Sequence, residues 1–177
     1  MDLVPVGHDL GVYHDGMGSH CQQVRVGATI EELSDDQYAT WVGAHSGVPA
    51  ADAESLLARG LLASTADQLE FATSHRFLPL ALGLGNTEDE PWLFTAGLLY
   101  EPMVAMTGPL FDLWQWAHLS PDLWSACLEA AAVAEEAGAT EPEQTDPEQV
   151  LAGALATAPQ LLAARVACFD VRIGGVS

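Results

Sequence analysis

Apolar residues recur along the chain in two rhythms, and the change from one to the other marks out the elements. LVPV (3–6), LGVY (10–13) and CQQVRV (21–26) are short apolar or alternating runs that read as strands. The last two are separated by DGMGS (15–19), a glycine-rich turn suited to a hairpin. From Ser34 the rhythm lengthens: Tyr38, Trp41, Val42 and His45 fall at i, i+3, i+4 and i+7, one face of a helix. Ser34 followed by Gln37 has the form of a capping box, the serine oxygen accepting from the N3 amide while the glutamine reaches back to the cap. A second helix is predicted from Ala50 to Ala58, stopped at Gly60. After it, LLAS (61–64) and QLEFA (68–72) fit a hairpin, or 66–75 fits a short helix; periodicity does not separate the two.

From Phe77 the pattern starts again. FLPL (77–80) matches LVPV, proline included, at an offset of 74. The turn GLGNTEDEP (83–91), the apolar stretch WLFTAGLL (92–99) and MVAM (103–106) lead into a helix predicted from Gly108 to His118. At an offset of 73, Val26, Ile30 and Leu33 fall on Leu99, Met103 and Met106, and Tyr38, Trp41, Ala44 and His45 on Phe111, Trp114, Ala117 and His118. Repeats at a fixed period signal repeated structural units. The order of these matches predicts an α+β protein of two tandem halves, residues 1–74 and 75–177. In the second half a helix is predicted to open at Ser120-Pro121 and carry Leu123, Trp124, Cys127 and Leu128 on one side. An acidic surface loop follows (138–146, GATEPEQTD), Asp146-Pro147 caps a helix through Ala156, and RVACFDVRI (165–173) closes as a strand.

Charge changes this picture most. The 177 residues include 25 acids, five arginines and no lysine, a formal charge of -20. Such a surface repels phosphate backbones and anionic lipid, so neither nucleic acid nor membrane is expected as a partner. It attracts basic surfaces, or it is simply a solvated acidic face. The three cysteines (Cys21, Cys127, Cys168) are far apart and form no CxxC pair, which argues against a disulfide scaffold or structural zinc and fits a reducing cytoplasm. No basic-then-apolar leader is evident at the N-terminus and no apolar run approaches membrane-spanning length, so a soluble cytoplasmic protein is expected.

The stretch QVRVGATIEELSDDQYATWVGAHSG (23–47) followed by SLLARGLLAS (55–64) resembles a winged helix-turn-helix domain, and within that group the PqqD-like peptide-recognition domains of peptide biosynthesis. The resemblance implies two winged-helix-like halves and recognition of a peptide or partner enzyme. A DNA-reading role fails on charge: the candidate helix AADAESLLARG offers one arginine and two acids. The remaining mode is peptide capture at a sheet edge or a groove. An edge at 21–26, through Val24 and Val26 with Tyr38 and Trp41 behind it, is the expected receiving surface.

Candidate chemistry is sparse. His8, His14, His20 and Cys21 crowd the N-terminus and are residue types that ligate zinc or copper, but their spacing matches no ligand motif. Trp41/His45 and Trp114/His118 recur; each pair is either one of two equivalent sites or a core tryptophan beside a histidine at a helix C-terminus, where a cation suits the dipole. Trp116, if exposed, marks a binding surface. No GxGxxG, Walker lysine, GxSxG or HExxH occurs, and Asp112 is the carboxylate nearest an apolar run. The expectation is therefore a non-catalytic protein- or peptide-binding module without a cofactor. Its candidate contact residues are Val24, Val26, Tyr38, Trp41, His45, Trp114, Trp116 and His118. The alternatives are an acidic decoy or regulator that binds a basic DNA-binding protein, and a small enzyme or metal-binding protein using the His-rich N-terminus; self-association stays open.

Overall fold

A computed structural model describes residues 3–47 and 53–174. The fold is mixed α+β with four small sheets. The N-terminal strand β1 (Leu3–Pro5) leads into an antiparallel meander of β2 (His8–His14), β3 (His20–Val26) and β4 (Thr29–Leu33). Helices α1 (Asp35–Ala44) and α2 (Ala53–Ala58) follow, and β5 (Leu62–Ser64) returns to pair antiparallel with β1. After a short helix α3 (Gln68–Ser74) comes β6 (His75–Pro79), then a second meander of β7 (Leu82–Gly85), β8 (Leu93–Leu98) and β9 (Glu101–Thr107). Helix α4 (Gly108–Trp116) runs into a turn of 3-10 helix at Ala117–Leu119. Helices α5 (Leu123–Glu136), α6 (Pro142–Thr145) and α7 (Pro147–Ala163) precede β10 (Ala167–Val171), which pairs antiparallel with β6.

The two halves therefore share an order of elements: a lone strand, a three-stranded meander, a helix, further helices, and a strand returning to the first. Both return strands begin after a helix end of one design. Gly60 N–H donates to Leu57 O and Leu61 N–H to Leu56 O; Arg165 N–H donates to Leu162 O and Val166 N–H to Leu161 O. Such an end needs a residue in the left-handed region, usually glycine. Gly60 supplies it at φ 69°, and Arg165 adopts it at φ 56° despite its side chain. Trp41 and Trp114 are both almost fully buried, each donating its indole N–H to a backbone carbonyl: Val6 O at 3.1 Å and Val166 O at 3.0 Å. A winged-helix arrangement of the halves is not confirmed by this topology.

Most sequence-derived elements hold, with these differences. β7 lies partly in the stretch 83–91 read as a turn, and the helix expected to reach His118 ends at Trp116, where the 3-10 turn takes over. β4 was not expected; it is an edge strand in which Ile30 is exposed and Leu33 buried, so its alternation is broken by Glu31 and Glu32. The open segment at 61–75 resolves into β5 and then α3, capped by the Asp67 carboxylate, which accepts from Glu70 N–H. α5 starts at Leu123 and not at Ser120-Pro121, because Asp122 is the cap and accepts from Ser125 N–H. The acidic stretch 138–146 contains the helical turn α6. α7 continues past Ala156 to Ala163 with Pro159 inside it. The predicted start of α2 at Ala50 lies outside the described residues.

Two cores result. Val24, Leu33, Trp41, Leu56 and Leu61 fill the smaller one, and Phe77, Phe111, Trp114, Cys127, Leu161 and Phe169 lie in the larger. They are joined where Val6 bridges Phe169 in parallel and Gly7 N–H donates to Phe169 O. Asp170, almost fully buried, reinforces the junction by accepting from Gly27 N–H at 2.7 Å and from the Arg25 guanidinium at 3.2 Å.

Candidate functional site

One concave region lies at the junction of the halves and another among the C-terminal helices. The junction pocket, about 400 Å³, is lined by Gly7, His8, Asp9, Trp41, His45 and Arg165, among others. Its centre is the Asp9 carboxylate, which accepts from Tyr38 Oη (2.6 Å), Arg165 Nη1 (2.8 Å) and Gly11 N–H (2.9 Å). Burial alone would raise the Asp9 pKa, but these donors outweigh it and hold the group below the usual carboxylate range. Burial and the Asp9 charge push Tyr38 upward. The corresponding position in the second half is Phe111, so this polar cluster has no counterpart there. Arg165 accepts a strained backbone conformation in place of glycine and spends its side chain on Asp9 of the other half, the chemistry of a strap between halves.

Tyr38 stacks on Trp41, and the His45 ring meets Trp41 edge-on with centroids 4.6 Å apart. His45 Nδ1–H donates to Trp41 O at 3.2 Å. Burial, and next the Arg165 charge, lower its pKa, so His45 is held neutral and is not the helix-end cation anticipated from sequence. His75, stacked on Phe71, is lowered by burial in the same way. The unfolded histidines titrate near ~6.5 and bind protons more readily than the folded ones. Their contribution to stability is therefore complete above that pH and is lost as the pH falls through the folded-state values. Urea midpoints should fall from pH 7 to pH 5, and His45→Gln with His75→Gln should flatten that decline. An unchanged slope in the double variant would show that these two rings are not its source.

The expected peptide edge is corrected outright. β3 is the central strand of its sheet, with Val24 paired to Asp9 on one side and Glu31 on the other, and Val24 is 0% exposed. Val26 is partly buried and paired with Thr29. Both backbone edges of β3 are paired there, so no edge is left to receive a peptide strand. The N-terminal histidines are partly brought together: His14 and His20 pair across the hairpin with ring centroids 5.7 Å apart, and His20 Nε2 lies 3.2 Å from Asp35 Oδ2. Among the described residues no group of three or more His, Cys, Asp or Glu side chains is arranged to hold a metal ion.

Trp114/His118 does not reproduce Trp41/His45. Trp114 packs on Phe111 in the larger core, while His118 Nδ1–H donates to Gln115 O at 2.9 Å in the 3-10 turn. Trp116, two residues on, is 55% exposed and lines the second concavity. This is a trough of about 960 Å³ walled by α4, α5, α6 and α7. α5 contributes Ala126, Ala130, Val133 and Ala134 from one face, with Ala137 capping its end; α4 contributes Pro109, Leu110, Leu113 and Trp116; α7 contributes Val150, Gly153, Ala154 and Thr157. Alanine and glycine on facing helices leave a hollow that larger side chains would fill. Val133 remains 65% exposed in it. Asp112, Glu129 and Glu143 also line it, and burial raises the Asp112 pKa.

Comparison with known proteins leaves the site to be read from its own chemistry. No protein-family model matches the chain, and no curated protein or solved structure does so significantly. Sequence reasoning singled out Trp116 but missed the trough around it, along with Asp9 and Arg165, which meet across a separation of 156 residues. An arginine where a helix end calls for glycine is a signal for Arg165 itself; nothing in the pattern of apolar and polar positions marks the trough or the pairing with Asp9.

Proposed function

We propose that the protein is a non-catalytic binding module for a partner protein or peptide, and that an apolar segment of the partner lies in the helical trough. The observation that carries this reading is an open apolar trough in which Trp116 and Val133 stay exposed. Exposed aromatics beside an apolar hollow of this size mark binding surfaces. Several reactive side chains elsewhere are buried or paired. Burial drives the Cys127 and Cys168 thiols up to about 12, which leaves them un-ionised and poor nucleophiles. Asp9 is held in its ion pair. No helix among the described residues is long and apolar enough to cross a membrane.

The PqqD-like resemblance favours the same class of activity, with recognition of a peptide or partner enzyme in a biosynthetic pathway, but the receiving surface is the trough and not the strand at 21–26. We also read the halves as a duplication at an offset of about 73 residues. The shared element order and the matched helix ends support it. On this reading the first copy kept a compact core while the second gained the helices that form the trough.

Affinity capture from nuclease-treated host lysate tests the proposal. The wild-type chain should retain a specific protein or peptide that a Val133→Asp chain does not. Val133 is an exposed helix position, so this substitution leaves folding within about 0.5 kcal/mol. Equal capture by both chains would exclude the trough as the binding surface.

A further inference from the structure

We infer that the segment received by the trough is an amphipathic helix with Arg or Lys flanking its apolar stripe; this rests on the trough being the partner surface. Shape is the first argument. The lining of α5 runs from Ala126 to its cap Ala137, roughly 16 Å at 1.5 Å per residue, with α4 and α7 contributing to the walls. That length suits about three turns of helix laid lengthwise, with apolar residues at i, i+3, i+4 and i+7 meeting the alanines. The walls are mostly helical, with β9 reaching the trough only at its last residue, Thr107, so a partner strand would find little sheet edge to pair with.

Charge is the second argument, and it selects the partner. Between Arg76 and Arg165 the chain contains no Lys or Arg and 13 acids. Asp112, Glu129 and Glu143 bring that excess into the trough itself. Glu129 is further fixed in place by the Ser120 hydroxyl, which donates to Oε2 at 2.9 Å. An acidic or neutral helix would leave these carboxylates uncompensated as water is displaced, whereas guanidinium or ammonium groups beside the stripe would pair with them. The same charge argues against a second copy of this chain, because an isologous contact would set one acidic trough against another.

The test uses two synthetic amphipathic peptides of equal length and identical apolar stripe, one flanked by lysines and the other by glutamates, titrated calorimetrically into the full chain. The lysine peptide should bind with one-to-one stoichiometry and at least tenfold more tightly than the glutamate peptide. It should weaken severalfold between low and moderate salt, and lose at least tenfold on Trp116→Ala. Equal binding of both peptides, lost together on Trp116→Ala, would overturn the charge argument and leave the trough as a partner surface. Lysine-peptide binding that ignores both Trp116→Ala and Val133→Asp would overturn both, locating the contact on the general acidic surface. Binding of neither peptide, with trough-dependent capture from lysate, would overturn the basic helix alone. Self-association abolished by Val133→Asp would do so in favour of a second copy.

Discussion

Trp114→Ala should cost about 3–5 kcal/mol of folding stability, the range for removing a large aromatic from a packed core. Trp114 is 1% exposed, packs on Phe111, which stacks on Phe94, and donates its indole N–H to Val166 O. The substitution empties the space between α4 and the sheets and also removes one of two hydrogen bonds to Val166 O, which keeps the Leu80 N–H as donor at 2.8 Å, so this loss adds only about 1 kcal/mol. Domains of this size have only about 5–15 kcal/mol in hand, so the urea midpoint should drop by a large fraction of its value. Trp114→Phe keeps most of the apolar volume and loses the hydrogen bond, and should fall between the two. A loss under about 1 kcal/mol for the alanine variant would mean that Trp114 does not anchor its core. Trp41→Ala should behave alike, because Trp41 occupies the corresponding place under Val6.

Trp116→Ala should do the opposite: little to stability and much to binding. Its side chain is more than half exposed in the free protein, so truncation should shift folding by no more than about 0.5 kcal/mol. In a complex the ring would be covered on the partner side and supported by α4 beneath. Aromatic anchors at the centre of an interface typically carry about 2 kcal/mol or more, close to a thirtyfold loss of affinity. Titration of the captured partner into wild-type and Trp116→Ala protein, with urea curves of both, measures the two quantities together. Equal affinities would place the interface away from the trough. Two tryptophans two residues apart thus have separate tasks, since one faces the core of α4 and the other its outer wall.

That contrast also shows where the sequence was informative. The capping box of α1 was legible and forms as read, with Ser34 accepting from Gln37 N–H and Gln37 Oε1 accepting from Ser34 N–H, because it is local chemistry over four residues. The hairpin around DGMGS was legible for the same reason: Asp15 accepts from Met17 and Ser19 amides while Gly16 and Gly18 take positive φ. β4 was not, since an edge strand carrying Glu31 and Glu32 lacks the alternation that signals a buried face; Glu31 is instead paired with Arg59. Ser120-Pro121 imitated a helix start, but Ser120 closes the 3-10 turn and turns its hydroxyl to Glu129. The peptide edge at 21–26 failed because a strand's sequence does not say whether it has one neighbour or two. The trough was invisible because alanine faces on α5 and α7 are neutral in any pattern of apolar and polar positions, and become a hollow only when three helices set them side by side. Asp9, Tyr38 and Arg165 meet through tertiary structure alone. The ordered matches at an offset of about 73, Trp41 with Trp114 among them, hinted that the halves share a plan.

A photo-activatable amino acid placed at Val133, and in parallel at Val12 on the outer strand β2, tests the central claim most directly. Both positions are exposed, so neither probe disturbs a core. Irradiation in host cells should give a discrete adduct from position 133, mapping by mass spectrometry to one apolar segment of one partner, and none from position 12. Adducts from position 12 with none from position 133 would contradict the account and move the binding surface from the helices to the N-terminal sheet.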